Sequence, residues 1–463
     1  MQKQQVISHG RGNPLGWQKI GKLLLKFSLP GIISMLVNSL YNIVDQIFIG
    51  QGVGYLGNGA TTVIFPLATI ALAFSLLIGD GAASYMSLML GRKNEEEAGK
   101  AVAVASWLSV LAGAVLGAIM IIFIEPLCYL FGATELIFPY AKSYGIIIAL
   151  GLPLSAISVA YAGFIRADGS PIYNMIGLIS GCACNIVLDY LFVIVIPLGV
   201  EGAAIATVIG QGLNSALYIA YLFKLKTVKL NKRIFKESPK SVLKVVQLGV
   251  SSFVNQILVV IIIGIQNNLL KEYGAQSVYG PEIPMTALGV TMKLFNIVMA
   301  VLIGLSSGSQ PIWGFNYGSG QHDRVKKTLF CSMGAATAII SVVFVIFQLF
   351  PAQVVSIFGN QDALYTEFSV KCLKIYLLFL PVSGVRMLGS SFLQAVGKPL
   401  PATILSVSKQ IAIQVPAMFL LTSAMGVDGV LWSGPVSDLV SFILTILVLF
   451  IVCRRIFKKE QKA

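Results

Sequence analysis

Charged residues are scarce in this sequence: only 11% of its 463 residues are Asp, Glu, Lys or Arg, whereas a soluble globular domain has roughly 25%. Hydrophobic residues make up 56%, and the mean hydropathy is +0.84. The apolar runs are long and continuous rather than alternating, which excludes a transmembrane β-barrel and predicts membrane-spanning helices. We therefore expect an all-α polytopic membrane protein surrounded by a lipid bilayer.

Histidine and cysteine are too few and too scattered to indicate a metal site or a disulfide framework. The two histidines, His9 and His322, lie in the N-terminal tail and in a loop. Cys182 and Cys184 are two residues apart and would face different sides of a helix. No cofactor is expected. A membrane-embedded enzyme would need nucleophile–base pairs or metal ligands inside the spans, so we do not expect an enzyme.

The sequence shows the pattern of neither a phosphate-binding loop nor a cleaved signal peptide. A pump driven by nucleotide hydrolysis would need such a loop, but the near match GWQKIGKL at 16–23 ends in Leu and follows no predicted strand. The first apolar run is long enough to span the bilayer, and no small-residue cleavage site is visible. We therefore expect neither a primary pump nor a cleaved signal peptide.

Twelve apolar segments are long enough to cross a bilayer as helices. We place these helices at 27–50, 60–90, 102–124, 139–164, 172–196, 202–223, 245–270, 284–315, 327–350, 368–395, 401–424 and 428–453.

Lysine and arginine are distributed unequally between the two sides of these helices. If the N-terminus is inside, most of the 33 basic residues lie in inner segments, with Lys409 counted among them and the largest group in 224–244. The outer loops hold Lys142, Lys271, Lys371 and Lys374. Because cytoplasmic loops are enriched in Lys and Arg, we expect both termini in the cytoplasm and a location in the cytoplasmic membrane of the cell. The net charge of +14 is then a topology signal rather than a nucleic-acid footprint.

The second half of the sequence repeats short motifs of the first half in the same order. GSP at 169–171 returns as GKP at 397–399, and GVEGA at 199–203 returns as GVDGV at 426–430. The pairs FGA and FGN, LPLSA and LPVSG, and LIG and LIG keep nearly the same offset. Such a parallel repeat predicts two homologous six-helix lobes related by a pseudo-twofold axis along the membrane normal. The predicted domains are an N-lobe at 1–223, a basic cytoplasmic linker at 224–244 and a C-lobe at 245–463.

Two aspartates lie within the apolar helices of the first half, Asp45 in helix 1 and Asp189 in helix 5. Counting ~1.5 Å per residue from the inner helix ends places both carboxyls at the same depth, in the outer half of the membrane. Asn185 is one turn from Asp189, and Asn38, Tyr41 and Asn42 form a polar stripe with Asp45. We expect the two polar stripes to face each other across a cavity.

The repeat indicates that these polar groups do not serve the fold. The positions opposite Asn185 and Asp189 in the second half are Ile413 and Ala417. An ionised carboxylate is costly inside a helix bundle, and two close together are costlier still, so such a pair is suited to binding and releasing a proton. The alternative is that each Asp only hydrogen-bonds a neighbouring helix. The matched depth and the asparagine near each Asp favour the proton-binding role.

Other polar or adaptable residues within the spans are less specific. We expect Asp438 to form a structural ion pair with Lys293 or Arg386, the two cations predicted inside helices 8 and 10. Met35 and Met292 would suit an adaptable drug pocket, although helix packing is the usual role of such methionines.

Together these residues resemble the multidrug and toxic compound extrusion (MATE) family over nearly the whole chain. The resemblance lies in the twelve helices in two halves, the proline, Tyr and Asp of helix 1, and the Asn-x-x-x-Asp of helix 5. The polar residues look most like the DinF-like branch, and the overall sequence looks like the MepA-type multidrug exporters. The resemblance implies a cation-coupling site at Asp45, Tyr41, Asn185, Asp189 and Thr207. It also implies a hinge at Pro30.

The resemblance implies an antiporter that exports cationic or amphipathic drugs in exchange for protons, or sodium, by alternating access. Helices 7 and 10 carry Gln256 and Arg386 where the NorM branch has acids, which argues against a NorM-like sodium site. The expected substrate cavity comprises Asn38, Asn42, Met35, Gln256, Met292 and Arg386. A monomer is expected. The main alternative is a flippase for lipid-linked sugars, which shares the two-lobe architecture but often has a more cationic cavity.

Overall fold

The computed structural model describes residues 13–280, 282–356 and 363–458, and all regular structure in these ranges is helical. The main helices are α1 (Ile20–Gly52), α2 (Tyr55–Gly91), α3 (Glu95–Ile122), α4 (Phe138–Ala167), α5 (Pro171–Asp189, continued by a π-helical turn at Tyr190–Val195), α6 (Gly199–Tyr221), α7 (Val242–Ala275), α8 (Glu282–Gly318), α9 (His322–Leu349), α10 (Ala363–Tyr376 and Leu380–Ala395), α11 (Pro399–Val407, a π-helical segment at Ser408–Gln414, and Val415–Met425) and α12 (Val427–Lys458). Short helices lie at Ile124–Leu130, Lys232–Glu237 and Pro351–Ser356.

Eleven of these helices are each long and apolar enough to cross a membrane, and the two segments of α10 together form a twelfth span. The prediction of twelve spanning helices is therefore confirmed. Helices α1 and α3 begin earlier than predicted, because a polar first turn precedes each apolar run. In α3 the Asn94 side chain accepts a hydrogen bond from the Glu97 N–H at 3.1 Å and caps the helix.

Helix α10 departs from the prediction of one continuous helix at 368–395. It is broken between Tyr376 and Leu380, and its two segments are bent by 47°. Pro381 stands at the start of the second segment, where it has no N–H to donate and its ring disfavours a preceding α-helical turn. Pro153, its counterpart in the repeat, lies inside the continuous helix α4. The repeat therefore does not by itself determine where a proline breaks a helix.

The two lobes meet through α1 against α8 and through α2 against α7 and α8. The backbones of α1 and α8 touch at two glycines: a Cβ on Gly31 would lie 2.7 Å from the Gly304 carbonyl oxygen. Between α8 and α2, Gln310 Nε2 donates a hydrogen bond to Ser84 Oγ at 2.8 Å. These contacts lie toward the end of the bundle where α1 begins. Farther along α1, Asn42 is exposed.

The segment between α6 and α7 contacts the first lobe through hydrogen bonds and an ion pair. Asp168, in the turn after α4, accepts hydrogen bonds from the backbone N–H groups of Lys226 and Thr227, each at 2.9 Å. The Lys100 ammonium of α3 forms an ion pair with Glu237 at 3.0 Å. This basic segment is thus packed against the first lobe.

Candidate functional site

The site in the first lobe is built on a close contact between α5 and α6. A Cβ on Gly181 would lie 2.8 Å from the Gly210 carbonyl oxygen, so only glycine permits this approach of the two backbones. The approach places Asn185 of α5 beside Thr207 of α6, and Asn185 Nδ2 donates a hydrogen bond to Thr207 Oγ1 at 3.4 Å. The predicted helix 5 and helix 6 residues are therefore brought together.

Asp45 of α1 and Asp189 of α5 are buried and interact with each other. The exposed fraction is 8% for Asp45 and 0% for Asp189, and each carboxyl acts electrostatically on the other. Within the described residues, Asp45 Oδ1 and both Asp189 carboxyl oxygens are buried without a hydrogen-bond partner. No Lys or Arg of the described residues acts on either carboxyl. The result is a compact acidic pair without a counter-cation among the described residues.

Two tyrosines lie beside the acidic pair. Tyr41 of α1, a predicted site residue, and Tyr144 of α4 both lie where the charges of Asp45 and Asp189 act on their hydroxyls. Tyr144 is 8% exposed. Sequence reasoning missed Tyr144, although a tyrosine in the apolar run of helix 4 was a signal that could have found it. The pair thus has two hydroxyl groups nearby.

Among the described residues, no group of three or more His, Cys, Asp and Glu side chains is arranged to hold a metal ion. The chemistry open to the site is that of two buried carboxyls with amide and hydroxyl neighbours. Such a site suits a proton or a cation.

The sequence of this chain matches a known protein family. A family model described as MatE matches residues 30–191 and 275–420, with one segment in each half and more than half of the chain in all. The chain belongs to the MATE family. The predicted family is thereby confirmed, and the chain is a transporter, not an enzyme.

Relatives of this MATE transporter cover almost its whole length. The multidrug export protein MepA of Staphylococcus haemolyticus is 26% identical over 442 residues, which cover 94% of this chain and 95% of the relative. A solved structure described as MATE in the straight conformation superposes with a TM-score of 0.89, at 22% identity, over 97% of this chain and 100% of that one. An outward-facing multidrug resistance MATE family transporter superposes with a TM-score of 0.86, at 22% identity, over 97% and 99%. The two-lobe fold with twelve spans is therefore confirmed.

The other predicted residues of α1 are Pro30, Met35, Asn38 and Asn42, and they differ in burial. Asn38 and Met35 are half-buried, and Asn42 is exposed. Asn42 Nδ2 donates to the Asn38 carbonyl oxygen at 2.6 Å, a bond within the helix. The predicted hinge residue, Pro30, is buried, and α1 continues through it as one helix. Pro30 adjoins the glycine contact between the lobes.

The predicted cavity residues of the second lobe lie on other helices, away from the acidic pair. Gln256 is half-buried on α7. Met292 is half-buried and packs against the buried apolar cluster that contains Ile262 and Phe368. Arg386 lies on the second segment of α10, where its Nε is 3.8 Å from Asp438 Oδ1.

One expectation about charged residues in the second lobe is wrong. Lys409, counted with the inner segments, lies inside α11, and its Nζ is 2.7 Å from Asp438 Oδ1. Lys293, one expected partner of Asp438, is exposed on α8. The hydropathy pattern assigned Lys409 by its nearness to a helix end, whereas its partner on α12 is visible only after the helices are packed. The expected pairing of Asp438 with Arg386 does occur, as the longer of the two contacts.

Proposed function

We propose that this transporter exports cationic or amphipathic organic compounds in exchange for protons, by alternating access between the two lobes. The observation that carries the proposal is the buried Asp45–Asp189 pair, which no Lys or Arg of the described residues neutralises. The multidrug export named for the MepA relative supports the substrate class.

The physical basis of exchange is competition for the same negative charge. Two adjacent carboxylates in a low-dielectric bundle cannot both remain ionised without compensation. A proton or a cationic substrate supplies that compensation, and binding of one reduces the need for the other. Protons entering from outside would therefore promote release of the substrate, and their loss inside would restore the site.

Asn185, Thr207 and Tyr41 would support this chemistry as neighbours of the carboxyls. Asn185 Nδ2 donates a hydrogen bond to Thr207 Oγ1, while Asn185 Oδ1 is buried without a partner among the described residues. That oxygen, with the two carboxyls, would also suit sodium, so sodium remains the alternative coupling ion to be tested.

Alternating access would use the contact between the lobes. The lobes touch at the end where α1 begins, and Pro30 adjoins the Gly31–Gly304 contact there. If both termini are cytoplasmic, as the lysine and arginine distribution predicts, this lobe contact closes the cytoplasmic side. Movement at Pro30 would then accompany opening toward the cytoplasm. We propose a monomer in the cytoplasmic membrane of the cell, with a substrate cavity between the lobes that includes Asn38, Asn42, Gln256 and Arg386.

The test is efflux of a cationic dye from vesicles that contain the purified protein. Imposing a proton gradient should drive dye movement, and a sodium gradient of equal size at constant pH should not. Movement driven only by sodium would replace the proton with sodium in the proposal. Flipping of a lipid-linked oligosaccharide without dye transport would instead favour the flippase, although an acidic pair is a poor partner for a pyrophosphate.

A further inference from the structure

We propose that Arg386, Lys409 and Asp438 form a second binding site, in the second lobe, for the carboxylate of zwitterionic substrates. The inference rests on the proposed export function and deepens it by naming the residues that would hold the carboxylate of a substrate that carries both an ammonium group and a carboxylate. These three residues are called the cationic cluster below.

The geometry of the cationic cluster brings two cations to one acid. Lys409 Nζ lies 2.7 Å and Arg386 Nε lies 3.8 Å from the same oxygen, Asp438 Oδ1. The three side chains retain exposed fractions of 17% for Arg386, 14% for Lys409 and 13% for Asp438. Arg386 Nε itself is buried and has no hydrogen-bond partner among the described residues. A donor of the cluster is therefore unsatisfied.

The charges of the cationic cluster do not balance. When Lys409 and Arg386 are both protonated, Asp438 compensates only one of the two positive charges, and its close contact with Lys409 leaves the charge of Arg386 in excess. Arginine does not lose its proton in proteins, and a charge inside a membrane protein faces a partner or a water-filled cavity rather than lipid. The partial exposure of the cluster is thus better explained by access to the cavity than by contact with lipid. An anionic ligand would complete the balance.

The internal repeat places Lys409 of the cationic cluster on the helix that corresponds to α5, which carries Asp189 in the first lobe. Ile413 and Ala417 are the counterparts of Asn185 and Asp189, and Lys409 precedes Ile413 by one turn on the same face of α11. The next residue, Gln410, donates a hydrogen bond to Asn255 of α7 at 2.9 Å, beside the predicted cavity residue Gln256. Lys409 on α11 and Asp189 on α5 thus carry opposite charges on corresponding helices, while Arg386 and Asp438 lie on α10 and α12.

A carboxylate is the ligand chemistry that fits best. A planar guanidinium and an ammonium together donate to both oxygens of a carboxylate, and these charge-assisted hydrogen bonds are among the strongest in proteins. A substrate whose ammonium group turns toward the acidic pair would direct its carboxylate toward the cationic cluster. A purely structural role for the three residues predicts no preference between substrates with and without a carboxylate.

The test compares two dyes that differ in one charge: a rhodamine free acid, which is a zwitterion, and its methyl ester, which is a cation. The quantity measured is the ratio of free-acid to methyl-ester efflux in vesicles with a proton gradient. Arg386→Gln should lower this ratio about tenfold, and Arg386→Lys should retain most of it. Asp438→Asn should raise the ratio, because it removes the competing carboxylate. Lys371→Gln is the matched control, since Lys371 pairs with Asp428 at 2.6 Å elsewhere in the same lobe and should leave the ratio unchanged.

The outcomes separate this inference from the proposed function. If wild-type protein fails to export the methyl ester, the proposed function is wrong. If it exports the methyl ester, but Arg386→Gln and Asp438→Asn leave the ratio unchanged or move it in the same direction, the cationic cluster is a structural ion pair. Binding of the free acid to purified protein, followed by fluorescence anisotropy, checks the result without transport. Arg386→Gln should weaken that binding about tenfold, and unchanged binding would overturn the proposal.

Discussion

Replacing Asp189 with Asn tests the role of the acidic pair most directly. Asp189→Asn keeps the volume of the side chain and removes its ability to ionise, so the remaining carboxyl of Asp45 no longer has an acidic neighbour. We expect gradient-driven efflux to be lost while the protein remains folded. The same loss is expected for Asp45→Asn, because either change leaves a single acid in the site.

The magnitude follows from the coupling arithmetic. Exchange of one proton for one monovalent cation under a gradient of one pH unit supports about tenfold accumulation of substrate, or ~1.4 kcal/mol. Without coupling, the substrate gradient should fall to the level of passive leakage. Stability should change little, because both Asp189 oxygens already lack a hydrogen-bond partner among the described residues. Such an unsatisfied group costs about 1–3 kcal/mol whether it is a carboxyl or an amide.

The assay is dye accumulation in vesicles across a range of external pH, with the thermal unfolding of each purified variant measured in parallel. Asp428→Asn is the control, since it removes an acid that pairs with Lys371 at the surface of the second lobe. The control should keep the dependence on external pH, and Asp189→Asn should lose it. Wild-type accumulation by Asp189→Asn, at equal protein amount, would refute the assignment of coupling to the acidic pair.

Three further changes test the neighbouring parts of the mechanism. Pro30→Ala should restore a helical hydrogen bond in α1 and slow transport without unfolding; unchanged turnover would remove the hinge role. Gly31→Ala should hinder closure of the lobes, because its Cβ would lie 2.7 Å from the Gly304 carbonyl oxygen, and overpacking of this kind costs about 1–3 kcal/mol; a normal transport rate would contradict this. Asp438→Asn should alter drug preference but keep the response to external pH, and loss of that response with Asp189→Asn still responsive would place coupling in the second lobe.

The sequence allows the depth of a residue to be predicted much better than its partners. Asp45 and Asp189 could be assigned to one level of the membrane because helical rise is fixed at ~1.5 Å per residue. Their contact also depends on how α1 and α5 are rotated, and hydropathy does not report that rotation in a helix that is apolar on most sides. The same limit explains why Tyr144 was missed: its distance from the acidic pair depends on the packing of α4.

Lys409 shows the opposite error, in which a general rule was applied to a residue that departs from it. The enrichment of lysine on the cytoplasmic side is a statistical property of loops, and Lys409 lies ten residues into α11, or about 15 Å along the helix axis. At that depth a lysine requires a partner, and Asp438 lies farther from a helix end than the other described acids of the same lobe. The depth of Lys409 alone could have suggested its pairing with Asp438. The choice among Lys409, Arg386 and Lys293 as the partner of Asp438 required the packed structure.

The internal repeat gives a reason to interpret the charged residues within the spans as functional. A duplicated fold needs the same glycines and prolines in both lobes, because backbone approach and helix ends are set by the architecture. Charged residues inside the membrane are costly and are not needed twice for that purpose. The acidic pair occurs in one lobe, and the counterpart of Asp189 is the apolar Ala417, while Lys409 of the cationic cluster lies on the same helix of the other lobe, one turn before Ile413. The opposite charges of Asp189 on α5 and Lys409 on the corresponding helix α11 are difficult to explain by folding alone, because Ala417 shows that the fold accommodates an uncharged residue at the position of Asp189. They are explained by a ligand that meets both lobes at once and carries both signs of charge.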